Sequence, residues 1–155
     1  MKGNDKVIER LNARLADELA AINQYIVHSE MCANWGYEKL HKAIEKRAID
    51  EMKHAESLIA RILFLEGRPI VSQLAKIDIG AEVEAQHKKD WNAEDGAVKA
   101  YNADIRLAVE VGDNGTRDLF ESILKDEEAH IDWLEAQLDQ ILQMGIQNYL
   151  VEQMD

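Results

Sequence analysis

The feature that most constrains this chain is a set of metal-ligand residue types repeated at one fixed offset. Glu51 and His54 form a Glu-x-x-His pair, and Glu127 and His130 form a second pair 76 residues further on. A lone glutamate stands 33 residues before each pair, Glu18 before Glu51 and Glu94 before Glu127. Glutamate and histidine at i, i+3 share one face of a helix. Four carboxylates and two imidazoles duplicated in this way are the donor set of a two-metal site inside a four-helix bundle. A single such pair would be ordinary, since short motifs recur by chance and often mark a surface ion pair. A structural ion-pair network is the competing reading, but it has no reason to repeat at a fixed offset.

The length of 155 residues suits one domain with a substantial core, spanning 1–155. There is one proline, and Gly36, Gly67, Gly80, Gly112, Gly115 and Gly145 divide the chain into blocks, with Pro69 beside Gly67. The spacing predicts α1 over about 5–34, α2 over about 38–65, α3 over about 82–111 and α4 over about 115–144. A short α5 follows at about 146–153, with Ile146, Leu150 and Met154 on one face and Tyr149 beside it. A helix so short does not stand alone, and it is expected to pack against copies of itself at a symmetry axis.

Each long helix carries an apolar stripe with the 3–4 spacing of a core face. The stripes are Leu11, Leu15, Ile22 and Tyr25 in α1; Leu40, Ile44, Ala55, Leu58, Ile62 and Leu65 in α2; Val83, Trp91, Val98, Tyr101 and Ile105 in α3; and Phe120, Leu124, Ile131, Leu134, Leu138 and Ile141 in α4. A glutamate interrupts every stripe: Glu18, Glu51, Glu94 and Glu127. An unpaired carboxylate in a core is very costly, so four of them, one per helix, imply a shared compensating cation.

The connections set the topology. Short turns around Gly36 and around Gly112 and Gly115 make α1–α2 and α3–α4 antiparallel hairpins. The segment from Glu66 to Ala81 can span roughly 50 Å when extended, close to the ~45 Å of a 30-residue helix. It can therefore return along the whole bundle and leave α3 parallel to α2. The fold class expected is all-α, a four-helix bundle with one long α2–α3 crossover, the ferritin-like arrangement, and a short fifth helix. Counted from the two turns, both ligand triads lie at mid-bundle, so they can face each other.

The net charge of −12, from 30 acidic and 18 basic residues, argues against nucleic acid or an anionic membrane surface as partner and fits attraction of cations. The lone Cys32 cannot form an internal disulfide, which points to a reducing cytoplasmic setting. The N-terminal segment lacks the apolar core of a signal peptide, and no stretch is long and apolar enough to span a bilayer.

An oxygen-rich site with one imidazole per metal suits iron or manganese better than zinc. Two metals so held lie roughly 3.5–4 Å apart, where dioxygen or peroxide can bridge them. Glu51 and Glu127 read as the bridging ligands, Glu18 and Glu94 as terminal carboxylates, and His54 and His130 as the nitrogen donors. Tyr25 lies on the α1 stripe two turns from Glu18, placed to donate a hydrogen bond or an electron. His28, His41 and His87 fall outside the pattern and read as surface or core residues.

Longer segments carry a resemblance: Met1-Lys2-Gly3, Ala21-Ile22-Asn23-Gln24-Tyr25, Asn34-Trp35-Gly36, Asp50-Glu51-Met52-Lys53-His54-Ala55, Arg61-Ile62-Leu63-Phe64-Leu65-Glu66-Gly67, Asp126-Glu127-Glu128, His130-Ile131-Asp132-Trp133-Leu134-Glu135 and Gln147-Asn148-Tyr149-Leu150. Nearly end to end, the chain resembles the bacterioferritins. The resemblance implies a cage of 24 identical subunits, built from haem-bridged dimers, that oxidises Fe(II) and stores the ferric mineral. It implies a di-iron ferroxidase centre at Glu18, Glu51, His54, Glu94, Glu127 and His130, the set that the repeat singles out independently. It also implies haem b held between two subunits by Met52 of each, and a reductase or ferredoxin partner for iron release. Taken alone, a Met at this position would read as a core residue. Two positions depart from the family pattern, which often has a histidine at Lys46, for an inner-surface iron site with Asp50, and an aromatic at Ile26 beside the haem. The first departure predicts a weak or absent inner-surface site. A rival reading is a di-iron oxidase or peroxidase that stores nothing; another is a helical interaction protein whose Glu and His are ion pairs.

Overall fold

The computed structural model describes residues 1–155 and is all-helical, with α1 Asp5–Trp35, α2 Glu38–Phe64, α3 Val83–Glu110, α4 Asn114–Met144 and α5 Ile146–Val151. The helix starts follow local chemistry. Asn4 caps α1 by accepting from the backbone N–H of Lys6 and Val7, and Asp113 caps α4 by accepting from Thr116 N–H. Gly36 closes α1 at φ 87°, a left-handed conformation that carries no penalty without a Cβ. At the end of α2 that conformation belongs to Glu66, at φ 62°, and not to the neighbouring glycine. Gly67 is small for a different reason: a Cβ there would stand 2.8 Å from Ile8 Cγ2.

The four long helices pack as two antiparallel hairpins, α1–α2 and α3–α4, joined by the crossover of residues 65–82. The crossover runs alongside α1 in the same direction. Asn12 donates to Arg68 O and accepts from Ile70 N–H, Ala16 O accepts from Ala75 N–H, Gln24 accepts from Asp78 N–H, and His28 Nε2 accepts from Gly80 N–H. The rising order on both sides delivers α3 to the C-terminal end of α1, so α3 runs parallel to α2 as the loop lengths predict.

Two apolar clusters fill the bundle. One centres on Leu11, Leu15, Leu58, Ile62, Tyr101 and Phe120; the other joins Tyr25, Cys32, Leu40, Ile44, Ile141 and Tyr149. Full burial of each large apolar side chain contributes about 1.5–3 kcal/mol. Most predicted stripe residues are buried, but Ile22, Trp91, Val98, Ile105, Leu124, Ile131 and Leu138 are only partly covered. α5 is held by Tyr149, which is fully buried, while Ile146 and Met154 stay exposed. Tyr149 donates to Gln137 and accepts from His87 Nε2. No helix is long and apolar enough to cross a membrane.

Candidate metal centre

Between the two clusters lies a layer of acid and imidazole. Glu18, Glu51, Glu94 and Glu127 are each no more than 2 % exposed, and His54 and His130 are also buried. The six predicted ligand residues thus come together from four helices. Glu18, Glu51, His54 and Glu127 form one group, and Glu51, Glu94, Glu127 and His130 form the other, with ligand atoms within 4.8 Å of one another in each. Glu51 and Glu127 belong to both.

The two shared glutamates present one oxygen to each side. Glu127 places Oε1 3.1 Å from His54 Nδ1 and Oε2 3.5 Å from His130 Nδ1. Glu51 places Oε2 3.4 Å from His54 Nδ1 and Oε1 3.1 Å from His130 Nδ1. The outer pair serves one side each, with Glu18 Oε2 3.5 Å from His54 Nδ1 and Glu94 Oε1 3.3 Å from His130 Nδ1. Despite these approaches, Glu18 Oε2, Glu51 Oε1, Glu94 Oε2 and Glu127 Oε1 are buried without a hydrogen bond. An unsatisfied buried acceptor costs about 1–3 kcal/mol, more when charged. Four in one place have the character of a cradle for cations, and the donor set of carboxylates with one imidazole per side suits hard or borderline first-row ions.

Outside the six, two further pairs obey the same 76-residue offset: Tyr25 with Tyr101, and Asp50 with Asp126. Both cross the bundle. Tyr25 on α1 donates to Glu94 on α3, and Tyr101 on α3 donates to Glu18 on α1 at 2.6 Å. His54 Nε2 meets Asp126 at 2.8 Å, and His130 Nε2 meets Asp50 at 3.5 Å. An outer carboxylate on the far ring nitrogen fixes the imidazole tautomer and orients Nδ1 inward. Tyr101, Asp50 and Asp126 are absent from the sequence-derived ligand set, although the offset that marks the ligands marks them too.

Proton affinities follow from burial and crowding. Burial, and then the charges of Glu51 and Glu127, raise Glu18 well above the usual carboxylate range. Burial alone would raise Glu51, but the adjacent Glu18 carboxyl and the two histidine rings hold it below that range. Burial alone would lower His54 and His130; the surrounding glutamate carboxylates outweigh it and raise both. Burial raises the Tyr25 and Tyr101 phenols well above their ordinary value, so both stay protonated donors. Protons on Glu18 and on both imidazoles are thus held more tightly than usual, and a cation in this layer would compete with them.

A cavity of about 380 Å³ reaches this layer from between α1 and α3, with the exposed Lys76 and Asn92 at its outer end and Glu18, Glu51, Glu94 and Glu127 at its inner end. Ala93, Gly96 and Ala97 keep it open by their size. Met52 lies away from the centre. It is 45 % exposed on α2 while its neighbour Glu51 is buried, and Ile49, three residues earlier, is also exposed. Lys46 is exposed and pairs with Asp50 at 3.8 Å, as its charge predicts. Cys32 is buried, and burial pushes its thiol up to about 12.

Comparison with known proteins agrees with this architecture. The ferritin-like domain profile matches residues 8–144. A bacterioferritin of Brucella melitensis biotype 1 is 41 % identical over 149 residues, covering 96 % of this chain and 92 % of the relative. A bacterioferritin of Rhodobacter capsulatus is 42 % identical with the same coverage. A bacterial ferritin of Synechocystis sp. is 41 % identical over 155 residues and 99 % of each chain. With a duplicated carboxylate–imidazole layer at the middle of four helices and relatives matching nearly its full length, the chain belongs to the ferritin family, within the bacterioferritins.

Proposed function

We propose that this chain is a ferroxidase and an iron store. The observation that carries the reading is the set of four buried carboxylate oxygens without hydrogen bonds, two of them on glutamates that address both sides of the centre. In this reading Fe(II) is the substrate. Glu51 and Glu127 bridge two ions, Glu18 and His54 complete one side, and Glu94 and His130 complete the other. Each Fe(II) gives one electron to O₂ or H₂O₂, and the ferric product moves on to a mineral or stays at the centre. Asp126 and Asp50 orient the imidazoles, and Tyr101 and Tyr25 hold the outer carboxylates. Tyr25 could also supply an electron. The protons displaced from Glu18 and the histidines leave as the ions arrive. The cavity between α1 and α3 is the entry route, and the net charge of −12 favours cation approach.

Storage requires a cage, and the surface supports self-association. Ile26, Val27, Ile49 and Met52 are exposed at 48, 40, 43 and 45 %, which is costly for helix faces left in water. Covering this face with a second copy, and α5 with further copies, gives the 24-subunit assembly. The exposed Met52 thioether, with apolar Ile49 close by in sequence and also exposed, would hold haem b between two copies, a group that would supply one-electron redox chemistry there. A cytoplasmic location and a reductase or ferredoxin partner for iron release complete the proposal.

Glu18→Ala and Glu94→Ala should each slow the rapid phase of Fe(II) oxidation strongly, as read by stopped-flow absorbance, while assembly size is unchanged. Unaltered kinetics in both variants would overturn the ferroxidase assignment. Size-exclusion chromatography with iron analysis separates the rival di-iron oxidase without storage, which would elute as a small oligomer holding no mineral. Met52→Leu keeps the side-chain volume and removes the sulfur; full haem absorbance in that variant would exclude Met52 as the ligand.

A further inference from the structure

A second convergence of metal-ligand types stands apart from the buried layer. Glu30 near the end of α1 and His41 and Glu45 near the start of α2 bring one ligand atom each to within 4.8 Å of one another. His41 and Glu45 are one turn apart, with Nε2 3.7 Å from the Glu45 carboxylate. The imidazole is already oriented. Its Nδ1 lies 3.1 Å from the Ser29 carbonyl and 2.9 Å from the Ser29 hydroxyl. A carbonyl oxygen only accepts, so Nδ1 carries a ring proton and Nε2 is the nitrogen left facing Glu45. Tethering the outer ring nitrogen to a backbone carbonyl is how metal-binding histidines are held.

The charge balance points the same way. Neither Glu30 nor Glu45 pairs with a lysine or arginine, although lysines are near in sequence. Lys42 reaches Asp155 at 3.9 Å and Lys46 reaches Asp50 at 3.8 Å. Two carboxylates thus face one imidazole with no lysine or arginine between them. We infer that Glu30, His41 and Glu45 form a mononuclear site for a first-row divalent cation, separate from the buried centre and open to solvent. Bonds of about 2.0–2.2 Å to nitrogen and carboxylate oxygen need only small rotations of two exposed glutamates, and water completes the shell. The site lies about 15 Å from Glu51 along α2, counted from His41 at 1.5 Å per residue. It is therefore no part of the ferroxidase ligand set and does not depend on that reading.

Co(II) is a suitable probe because it reports coordination by its visible absorption and is not oxidised as Fe(II) is. Titration of the assembled, metal-free protein should give a binding event beyond those of the buried centre. His41→Ala, Glu30→Gln and Glu45→Gln should each weaken that event at least tenfold and leave the others in place. Glu45 is exposed, so its variant should fold even if His41→Ala disturbs Ser29. Cobalt-edge anomalous maps should place an ion among the three side chains in the parent and none in Glu45→Gln. An identical titration in the parent and Glu45→Gln, or an anomalous map without a peak at Glu30, His41 and Glu45, would overturn the proposal.

Discussion

The two halves of the buried layer use matched residue types but are not equally tight. In the first half, His54 is steered by Asp126 at 2.8 Å, and Asp126 has no lysine or arginine partner. In the second, His130 stands 3.5 Å from Asp50, whose carboxylate is shared with Lys46 at 3.8 Å. The position matching Lys46 under the 76-residue offset is Ser122, which carries no charge. A single exposed lysine thus separates two half-sites that the repeat would otherwise make alike. The difference teaches that the six inner residues follow the repeat while the contacts one layer further out depart from it.

The comparison can be broken or sharpened by substitution. The largest effect is expected at a residue common to both halves. Glu127→Ala removes an oxygen from each side, and rapid Fe(II) oxidation should fall by more than about 100-fold, beyond the 10–100-fold typical of outer partners. Stopped-flow absorbance reads it, and a loss no larger than that of Glu94→Ala would mean Glu127 serves one side only.

Asp126→Asn should weaken divalent-metal binding by about 10–100-fold, and Asp50→Asn by less, because Asp50 is already divided between two partners. Calorimetric titration with Co(II) distinguishes the two, and equal losses would erase the asymmetry. Tyr101→Phe takes a hydrogen bond of about 0.5–1.5 kcal/mol from Glu18, but Glu18 can swing toward an ion in compensation. A several-fold rise in the Fe(II) concentration needed for half-maximal rate is expected, with the maximal rate little changed. A changed maximal rate with unchanged half-saturation would argue that Tyr101 acts in the chemistry and not in positioning Glu18.

Lys46→Ser copies the other half. An exposed ion pair contributes at most about 1 kcal/mol, so freeing Asp50 for His130 should tighten the second half by no more than a few-fold. Weaker binding in this variant would mean that the lysine supports the site.

The smallest effect on either half belongs to His87→Gln, which should leave Fe(II) oxidation unchanged. Its readout is acid stability. Burial pushes His87 down from 6.5 to about 4. The folded state then binds fewer protons than the unfolded one, so stability is present above pH 6.5 and lost as pH falls toward about 4. At about 1.4 kcal/mol per unit this amounts to about 3 kcal/mol. Denaturant midpoints across that window should flatten in the variant; an unchanged slope would mean that another group sets the acid limit.

Much of this was legible in one dimension. The ligand types, their offset, the glycine at position 36 and the length of the crossover yield the four helices, their directions and the six residues of the layer. Tyr101 and the paired aspartates were written in the same offset but act across the bundle, on helices far away in sequence, and no local pattern says that Tyr101 serves Glu18 rather than its own stripe. The end of α2 shows that a glycine can mark a turn for reasons other than its φ. The left-handed conformation there belongs to Glu66, while Gly67 beside it is small because a Cβ would stand against Ile8. Trp91 shares the apolar spacing of α3 yet reaches outward to Glu135, since an indole N–H needs an acceptor that the core there does not offer.

The crossover has a consequence for dilution. Each hairpin brings one lone glutamate and one Glu-x-x-His pair, so neither can enclose two ions without the other. As separate molecules they would meet only by collision, and the yield of complete centres would fall with the square of their concentration. Residues 65–82, fastened along α1 from Arg68 to Gly80, instead keep the second hairpin beside the first at an effective concentration of about millimolar or higher. The complete layer of four glutamates and two histidines therefore forms within one chain however scarce that chain is, before any second copy is needed.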